Sequence, residues 1–205
     1  MKLLHIDSSI LGQQSATREL GAAWVNNWRG LNPHAEVQYR DLARDPLAHL
    51  SGEIFAARSA QDAARELRAS DDIEADQSAL ADFLAADVVV VGAPMYNFSI
   101  PSQLKAWIDR IVVAGKTFRY TANGPEGMAK GKKAVLVISR GGIYSAGPAA
   151  ALDFQETYLR GVLGFIGISD VEVIRAEGLA MGADQRTESL SAAHRKIAQP
   201  LALAA

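Results

Sequence analysis

The sequence predicts an α/β fold: a five-stranded parallel sheet in the order 2-1-3-4-5 with helices on both faces. Three observations carry this expectation. Five strand patterns alternate with helical ones along the 205 residues, the order of successive βαβ units. The runs Val88-Val89-Val90-Val91 and Ala134-Val135-Leu136-Val137-Ile138 are apolar throughout, as in strands buried on both faces. Three polar or glycine-rich loops leave the carboxyl ends of strands one, three and four, where open α/β sheets bind ligands.

The elements follow in order. Lys2–Asp7 is strand one. Thr17–Leu31 is a helix, with Leu20, Trp24, Trp28 and Leu31 at helical spacing; the two tryptophans are expected to pack in the core or against a partner. Glu36–Arg40 is strand two. Leu47–Ala86 is rich in Ala, Asp, Glu and Arg, with Leu50, Ile54, Leu67, Ile73, Leu80, Phe83 and Leu84 spaced helically. It reads as two or three helices, more than one crossover needs, and Asp71-Asp72 as a solvated helix start. Asp87–Gly92 is strand three. Pro101–Val113 is a helix opened by a proline in its first turn. In Gly115–Lys132, Thr117–Thr121 alternates like a short strand and Asn123–Gly127 reads as a turn cluster. Lys133–Ser139 is strand four. Asp153–Phe165 is a helix closed by Gly164 and Gly167, Asp170–Ala176 is strand five, and Thr187–Leu203 is a terminal helix. No repeat or linker divides the chain, so residues 1–205 read as one domain with a helical excursion at about 47–86. Five strands match the flavodoxin-like order, whose switch point lies between strands one and three.

Composition narrows the function. The chain is 49% hydrophobic with a net charge of −2, which argues against nucleic-acid or anionic-membrane partners. It has no cysteine, which excludes disulfides, thiolate catalysis and Cys-bound metal centres. The histidines show no metal-ligand spacing, so no metal is expected. His5, within strand one, is expected to be buried and hydrogen-bonded. The start of the chain passes straight into a strand pattern, and no run approaches a membrane span. A cytoplasmic protein without a membrane partner is the expectation.

The loops hold the chemistry. After strand one, Asp7–Thr17 carries hydroxyls at Ser9, Ser15 and Thr17 and ends at a helix start, an anion site by virtue of its free amides and dipole. It lacks both the triphosphate P-loop and the dinucleotide glycine pattern. A hydroxyl-rich cradle without lysine fits a terminal monophosphate; equally, Ser15 or Thr17 caps the helix. After strand three, Gly92–Pro101 mixes Met95, Tyr96 and Phe98 with the amide of Asn97, a combination suited to a planar ring with a polar edge, such as a flavin. After strand four, Ser139-Arg140-Gly141-Gly142 lets backbone approach a ligand, or makes a simple turn.

These loops, with Thr117-Phe118-Arg119-Tyr120, Gly124-Pro125-Glu126-Gly127 and Gly164-Phe165-Ile166-Gly167, resemble the FMN-dependent NADH:quinone oxidoreductases, or azoreductases. The match runs almost end to end. The resemblance implies that Ser9, Ser15, Ala16 and Thr17 hold the FMN phosphate. It implies that Met95, Tyr96, Asn97 and Phe98, with Ser139, Arg140, Gly141 and Gly142, hold the ring. It implies a homodimer with its active site at the subunit interface. A ping-pong cycle follows: NADH or NADPH reduces the flavin and leaves, and a quinone or azo compound then takes two electrons. Backbone groups near Asn97 would contact the flavin N5, Phe118 and Tyr120 would wall the substrate pocket, and Tyr144 would donate to substrate. The chain departs from many relatives at Ser9-Ile10-Leu11, where they read Ser-Pro-Arg.

Three rival readings stand beside this one. A flavodoxin-type electron carrier would turn over nothing itself, but carriers tend to be strongly acidic. A phosphodiesterase is a label this family has borne, yet no G-x-S-x-G elbow or metal-ligand cluster supports it. A purely structural reading would make the aromatic loops packing.

Overall fold

The computed structural model describes residues 1–59 and 71–199. The described elements are β1 (Lys2–Asp7), α1 (Ala16–Leu31), β2 (Glu36–Asp41), α2 (Gly52–Ser59), α3 (Asp71–Ala85), β3 (Val88–Pro94) and α4 (Ser102–Ile111). They continue with β4 (Phe118–Thr121), β5 (Gly124–Gly127), β6 (Lys133–Ser139), α5 (Glu156–Phe165), β7 (Asp170–Ala176) and α6 (Ala183–Ile197). Leu67 of the excursion, and the end of the expected terminal helix, lie outside the described residues.

The main sheet runs β2-β1-β3-β6-β7, every pair parallel. Counting only these five strands, the order is the expected 2-1-3-4-5. Alternation of side chains along a strand divides the core into two layers. Leu4, Ile6, Val89, Val91, Leu136 and Ile138 face α3, α4 and α5, meeting Phe83, Leu104, Trp107, Leu159 and Leu163. Leu3, Val88, Val90, Val135 and Val137 face α1 and α6, meeting Leu20, Trp24, Trp28, Ala193 and Ile197. Both expected tryptophans therefore lie in the core. Every residue of β3 is buried, as the apolar run requires of a central strand covered on both sides.

Three details differ from the sequence reading. Gly124–Gly127 is a strand, paired antiparallel with β4 from Phe118↔Gly127 to Thr121↔Gly124, and the turn shrinks to Ala122-Asn123. A two-stranded ribbon has no neighbour to miss the N–H of Pro125, so proline is tolerated there. Helix α6 opens at Ala183, one turn earlier than expected, because its first turn carries no large apolar residue to mark it. His5 is buried, but its Nε2 has no hydrogen-bond partner, and Asp7 Oδ1 stands 3.7 Å away, beyond hydrogen-bond reach.

Candidate active site

The loops after β1, β3 and β6 meet at the carboxyl edge of the sheet. Their closeness begins at Gly92, opposite Asp7 in the β1–β3 register. A Cβ at Gly92 would lie 2.7 Å from Asp7 Oδ1 and 3.5 Å from Thr17 Cβ, so the glycine lets the start of α1 settle over the strand end. Ser8 Oγ donates to the Gly92 carbonyl at 2.6 Å. The Tyr96 hydroxyl accepts from the Ile10 amide at 3.2 Å and lies 3.5 Å from Ser9 Oγ, joining the first loop to the second. Met95 N–H donates to the Ser139 carbonyl at 2.8 Å, joining the second to the third.

The turn Tyr96-Asn97-Phe98-Ser99 closes on itself through Tyr96 N–H to Ser99 O, 3.0 Å, and Ser99 N–H to Tyr96 O, 3.1 Å. Asn97 and Phe98 have φ of 49° and 70°, the left-handed region that a bulky side chain rarely adopts. Phe98 stays exposed, edge-on to Tyr144 at 6.1 Å. Strain of this kind, about 1–3 kcal/mol per residue, clusters at functional sites.

Beneath the first loop lies a charged network. The guanidinium of Arg18 grips both oxygens of Asp41 at 2.6 Å and donates to the Ser9 carbonyl at 2.9 Å. It also donates to the Tyr39 hydroxyl at 3.0 Å, which in turn donates to Asp7 Oδ2 at 2.9 Å. Burial, reinforced by Asp7, pushes the Tyr39 hydroxyl up to about 12. The Arg18 hydrogen bond holds Asp41 below its ordinary carboxylate value. Burial pulls His5 below its ordinary 6.5, with Asp7 opposing and Arg18 assisting.

A second network stiffens the third loop. Arg140 is fully buried. It reaches Asp153 at 2.7 Å, Glu177 at 2.9 Å and Gln155 at 2.9 Å, and Gln155 donates to the Ala93 carbonyl at 2.8 Å. Glu177 accepts from the amides of Tyr144 and Ser145 at 2.8 and 3.0 Å, and from the Ser145 hydroxyl. Burial raises the Glu177 carboxyl, but the hydrogen bonds from Ser145, Tyr144 and Arg140 outweigh it and leave the group below its ordinary value.

These shifts make the fold acid-labile. Below about pH 6.5 the unfolded chain protonates its histidine while folded His5, with its lowered value, resists. Stability contributed by neutral His5 therefore starts to fall there and is lost as pH passes through the folded value. Asp41 and Glu177 contribute stability above the ordinary carboxylate range, lost as pH falls through their depressed folded values. Urea midpoints should be level above neutrality and fall in two stages on acidification, the first stage absent in His5→Gln. A wild-type midpoint unchanged between about pH 7 and 5.5 would contradict the His5 part.

A cavity of about 220 Å³ lies between the loops, lined by Ser9, Leu11, Gln14, Ser15 and Ala16, by Pro94, Met95 and Tyr96, by Ser139, Arg140 and Gly141, and by Leu179, Ala180 and Arg186. Tyr96 also lines a neighbouring cleft of about 630 Å³ with Ile10, Asn97, Lys105 and Tyr158. Among the described residues, the amides of Ala16, Thr17, Asn97, Phe98, Gly141 and Gly142 have no acceptor. Ala16 and Gly141 line the cavity itself and Asn97 the neighbouring cleft, so each loop brings an unpaired donor to a ligand with an anionic end and a hydrogen-bonding ring.

The expected site residues thus mostly converge, with differences. Ser15 caps α1, its hydroxyl accepting from Arg18 N–H at 3.3 Å and lying 3.0 Å from Thr17 Oγ1. The capping role therefore holds for Ser15, while the amides beside it stay unpaired. The side chain of Arg140 is consumed by its ion pairs and braces the loop. Phe118 is buried against Phe165, ring centroids 4.7 Å apart, and packs the hairpin. Tyr120, on the same hairpin, is 75% exposed and lines neither cavity. Arg186 went unnoticed in the sequence. A lone arginine in the first turn of a surface helix carries no local signal.

Comparison with known proteins agrees with this geometry. Residues 1–201 match a family model described as flavodoxin-like fold. A protein of Rhizobium meliloti named FMN-dependent NADH:quinone oxidoreductase is 55% identical over 199 residues, spanning 97% of this chain and 96% of its own. FMN-dependent NADH:quinone oxidoreductase 2 of Pseudomonas aeruginosa is 55% identical over 204 residues, spanning 100% of both. The crystal structure of an azoreductase from Bacillus anthracis superposes with a TM-score of 0.86 at 29% identity, covering 96% of each chain. With its strand order, its three-loop crevice and relatives matched end to end, the chain belongs to the flavodoxin-like family of FMN-dependent NADH:quinone oxidoreductases.

Proposed function

We propose that the protein is an FMN-dependent oxidoreductase that passes two electrons from NADH or NADPH to quinones and reductively cleaves aromatic azo compounds. The observation that carries this reading is the cavity where the three loops meet, with the unpaired amides of Ala16 and Gly141 on its wall and that of Asn97 in the adjoining cleft, in a chain whose relatives are named for quinone reduction and whose structural neighbour is an azoreductase. Bound FMN would supply the redox chemistry, accepting two electrons from the nicotinamide and yielding them to the acceptor in alternate half-reactions.

The protein's own part is to bind, orient and stabilise charge. The amides of Ala16 and Thr17 hold the phosphate at the positive end of α1, and Ser9, Ser15 and Thr17 hydroxyls complete the cradle. Met95, Tyr96, Asn97 and Phe98 border the ring on one side, Ser139, Gly141 and Gly142 on the other. The strained turn aims the Asn97 and Phe98 amides at the ring edge, and those of Gly141 and Gly142 stabilise negative charge there, as preorganised donors do in a water-poor site. Arg140 lines the crevice, and its side chain, held by Asp153 and Glu177, fixes the third loop. Tyr144, edge-on to Phe98, offers a hydroxyl to the acceptor.

The same reading makes the enzyme a cytoplasmic homodimer with a shared site. Exposed Ile10, Leu11, Phe98 and Phe154 surround the crevice, and Tyr120 stands out on its hairpin to reach a second copy. Light scattering at the mass of one chain would reject the dimer, and activity recovered with membranes would reject the location. No helix among the described residues is long and apolar enough to cross a membrane.

The cradle is tested by replacing Ser15 and Thr17 with alanine and titrating apoprotein with FMN. Two neutral donors at about 0.5–1.5 kcal/mol each predict a loss of roughly 5- to 150-fold in affinity. Because Ser15 also caps α1, the apoprotein should lose about 1 kcal/mol of stability. An unchanged dissociation constant would put the phosphate elsewhere.

A further inference from the structure

We propose that Arg186, from the first turn of α6, supplies the cationic contact to the phosphate of the bound cofactor. The inference rests on the FMN reading above and adds a residue to it. A phosphate monoester carries between one and two negative charges near neutrality. The loop after β1 offers it none in return: from Ser8 to Thr17 the chain has no lysine or arginine. The amides and hydroxyls there bring partial charges alone.

The structure shows where a full charge stands. Arg186 lines the same cavity as Ser9, Gln14, Ser15 and Ala16. It is half-buried, and it forms no hydrogen bond or ion pair through its guanidinium among the described residues. That sets it apart. Among the described arginines, only Arg29, Arg44 and Arg186 lack a carboxylate partner. Arg29 lies in the last turn of α1, at the far end from the cradle, and Arg44 lines a separate cavity beside β2. The other arginine of the crevice, Arg140, already has Asp153 and Glu177. Arg186 is therefore the one unpaired cation lining the cavity among the described residues, facing a cradle of donors that lacks one. A planar guanidinium suits the role, because it can place two parallel N–H bonds on a phosphate.

The position also links distant parts of the chain. Arg186 N–H donates to the Gly182 carbonyl at 3.0 Å, fixing the residue one turn into α6. Just upstream, Leu179 and Ala180 donate to the carbonyls of Arg140 and Gly141 at 3.1 and 3.0 Å. The segment that carries Arg186 is thus tied to the loop expected to border the ring.

The test uses apoprotein of the wild type, Arg186→Gln and Arg186→Lys, titrated with FMN and with riboflavin, which lacks the phosphate. Each titration is run at low and at physiological salt. Loss of a charge-assisted hydrogen bond predicts FMN binding weakened about ten- to a hundredfold in Arg186→Gln. Riboflavin affinity should be unchanged, the salt dependence of FMN binding should flatten, and Arg186→Lys should recover part of the loss as a point charge. Equal FMN affinity in Arg186→Gln and wild type would overturn the proposal. So would an equal loss for riboflavin. Wild-type protein that takes up neither flavin would instead overturn the FMN reading itself. Melting of each apo variant near the wild-type temperature confirms that folding is not what changed.

Discussion

Arg140→Ala is expected to lower the melting temperature by about 6–20 °C and to unsettle the loop carrying Gly141 and Gly142. The arginine is fully buried and holds Asp153 at 2.7 Å, Glu177 at 2.9 Å and, more loosely, Glu156 at 3.6 Å. Removing one partner of a buried ion pair costs about 3–5 kcal/mol, because Asp153 and Glu177 are left desolvated without a cation, while Glu156 keeps Arg160 and Arg175. In a domain of this size each kcal/mol is worth about 2–4 °C. Glu177→Gln in the same chain removes one stranded charge and should restore part of the loss, a coupling visible in a double-mutant cycle. Calorimetry finding Arg140→Ala within about 2 °C of wild type would contradict a structural role for this network.

Gly127→Ala is expected to cost about 3 kcal/mol or more, or to prevent folding, since overpacking beyond local relief sits at the upper end of its usual range. A Cβ at Gly127 would lie 2.2 Å from the amide nitrogen of Gly167 and 2.3 Å from the carbonyl carbon of Ile166. Both are backbone, so no side chain can swing away. Gly167, with a φ of +99°, already has no side chain to give up and holds a backbone conformation that other residues rarely adopt. The two glycines are the joint by which the β4–β5 hairpin seats on the turn after α5, helped by the Ala129 amide donating to the Ile166 carbonyl at 2.8 Å. Urea denaturation reads the effect; a midpoint matching wild type would mean the hairpin can dock elsewhere.

The sequence was most legible where burial dictates residue type. β3 and β6 are covered on both faces, so their apolar runs announce central parallel strands, and their order with β1 follows from topology. The loops that leave them could be assigned to one crevice for the same reason. The hairpin was half legible. Phe118–Thr121 alternates, but Gly124-Pro125-Glu126-Gly127 is written in turn residues, and its strand exists because Gly127 must pass against Gly167, a contact made across 40 positions of sequence. The turn at Asn97-Phe98 was hidden as well. Positive φ at adjacent residues usually shows itself as Asn-Gly, and Phe98 gives no such cue. The networks of Arg18 and Arg140 join residues from separate elements, with Asp41 and Glu177 far along the chain from their partners. No local pattern marks them, and the same distance hid Arg186.

If the three loops hold one FMN through which donor and acceptor act in turn, the visible spectrum of the FMN-reconstituted protein, kept free of oxygen, should follow the two half-reactions separately. Adding one equivalent of NADH per flavin, without quinone, should bleach the flavin absorption. Removing the nucleotide and adding a quinone should then restore the full oxidised spectrum with no nicotinamide present. Failure to bind FMN, or colour that returns only while NADH and quinone are bound together, would contradict one flavin site used by donor and acceptor in turn.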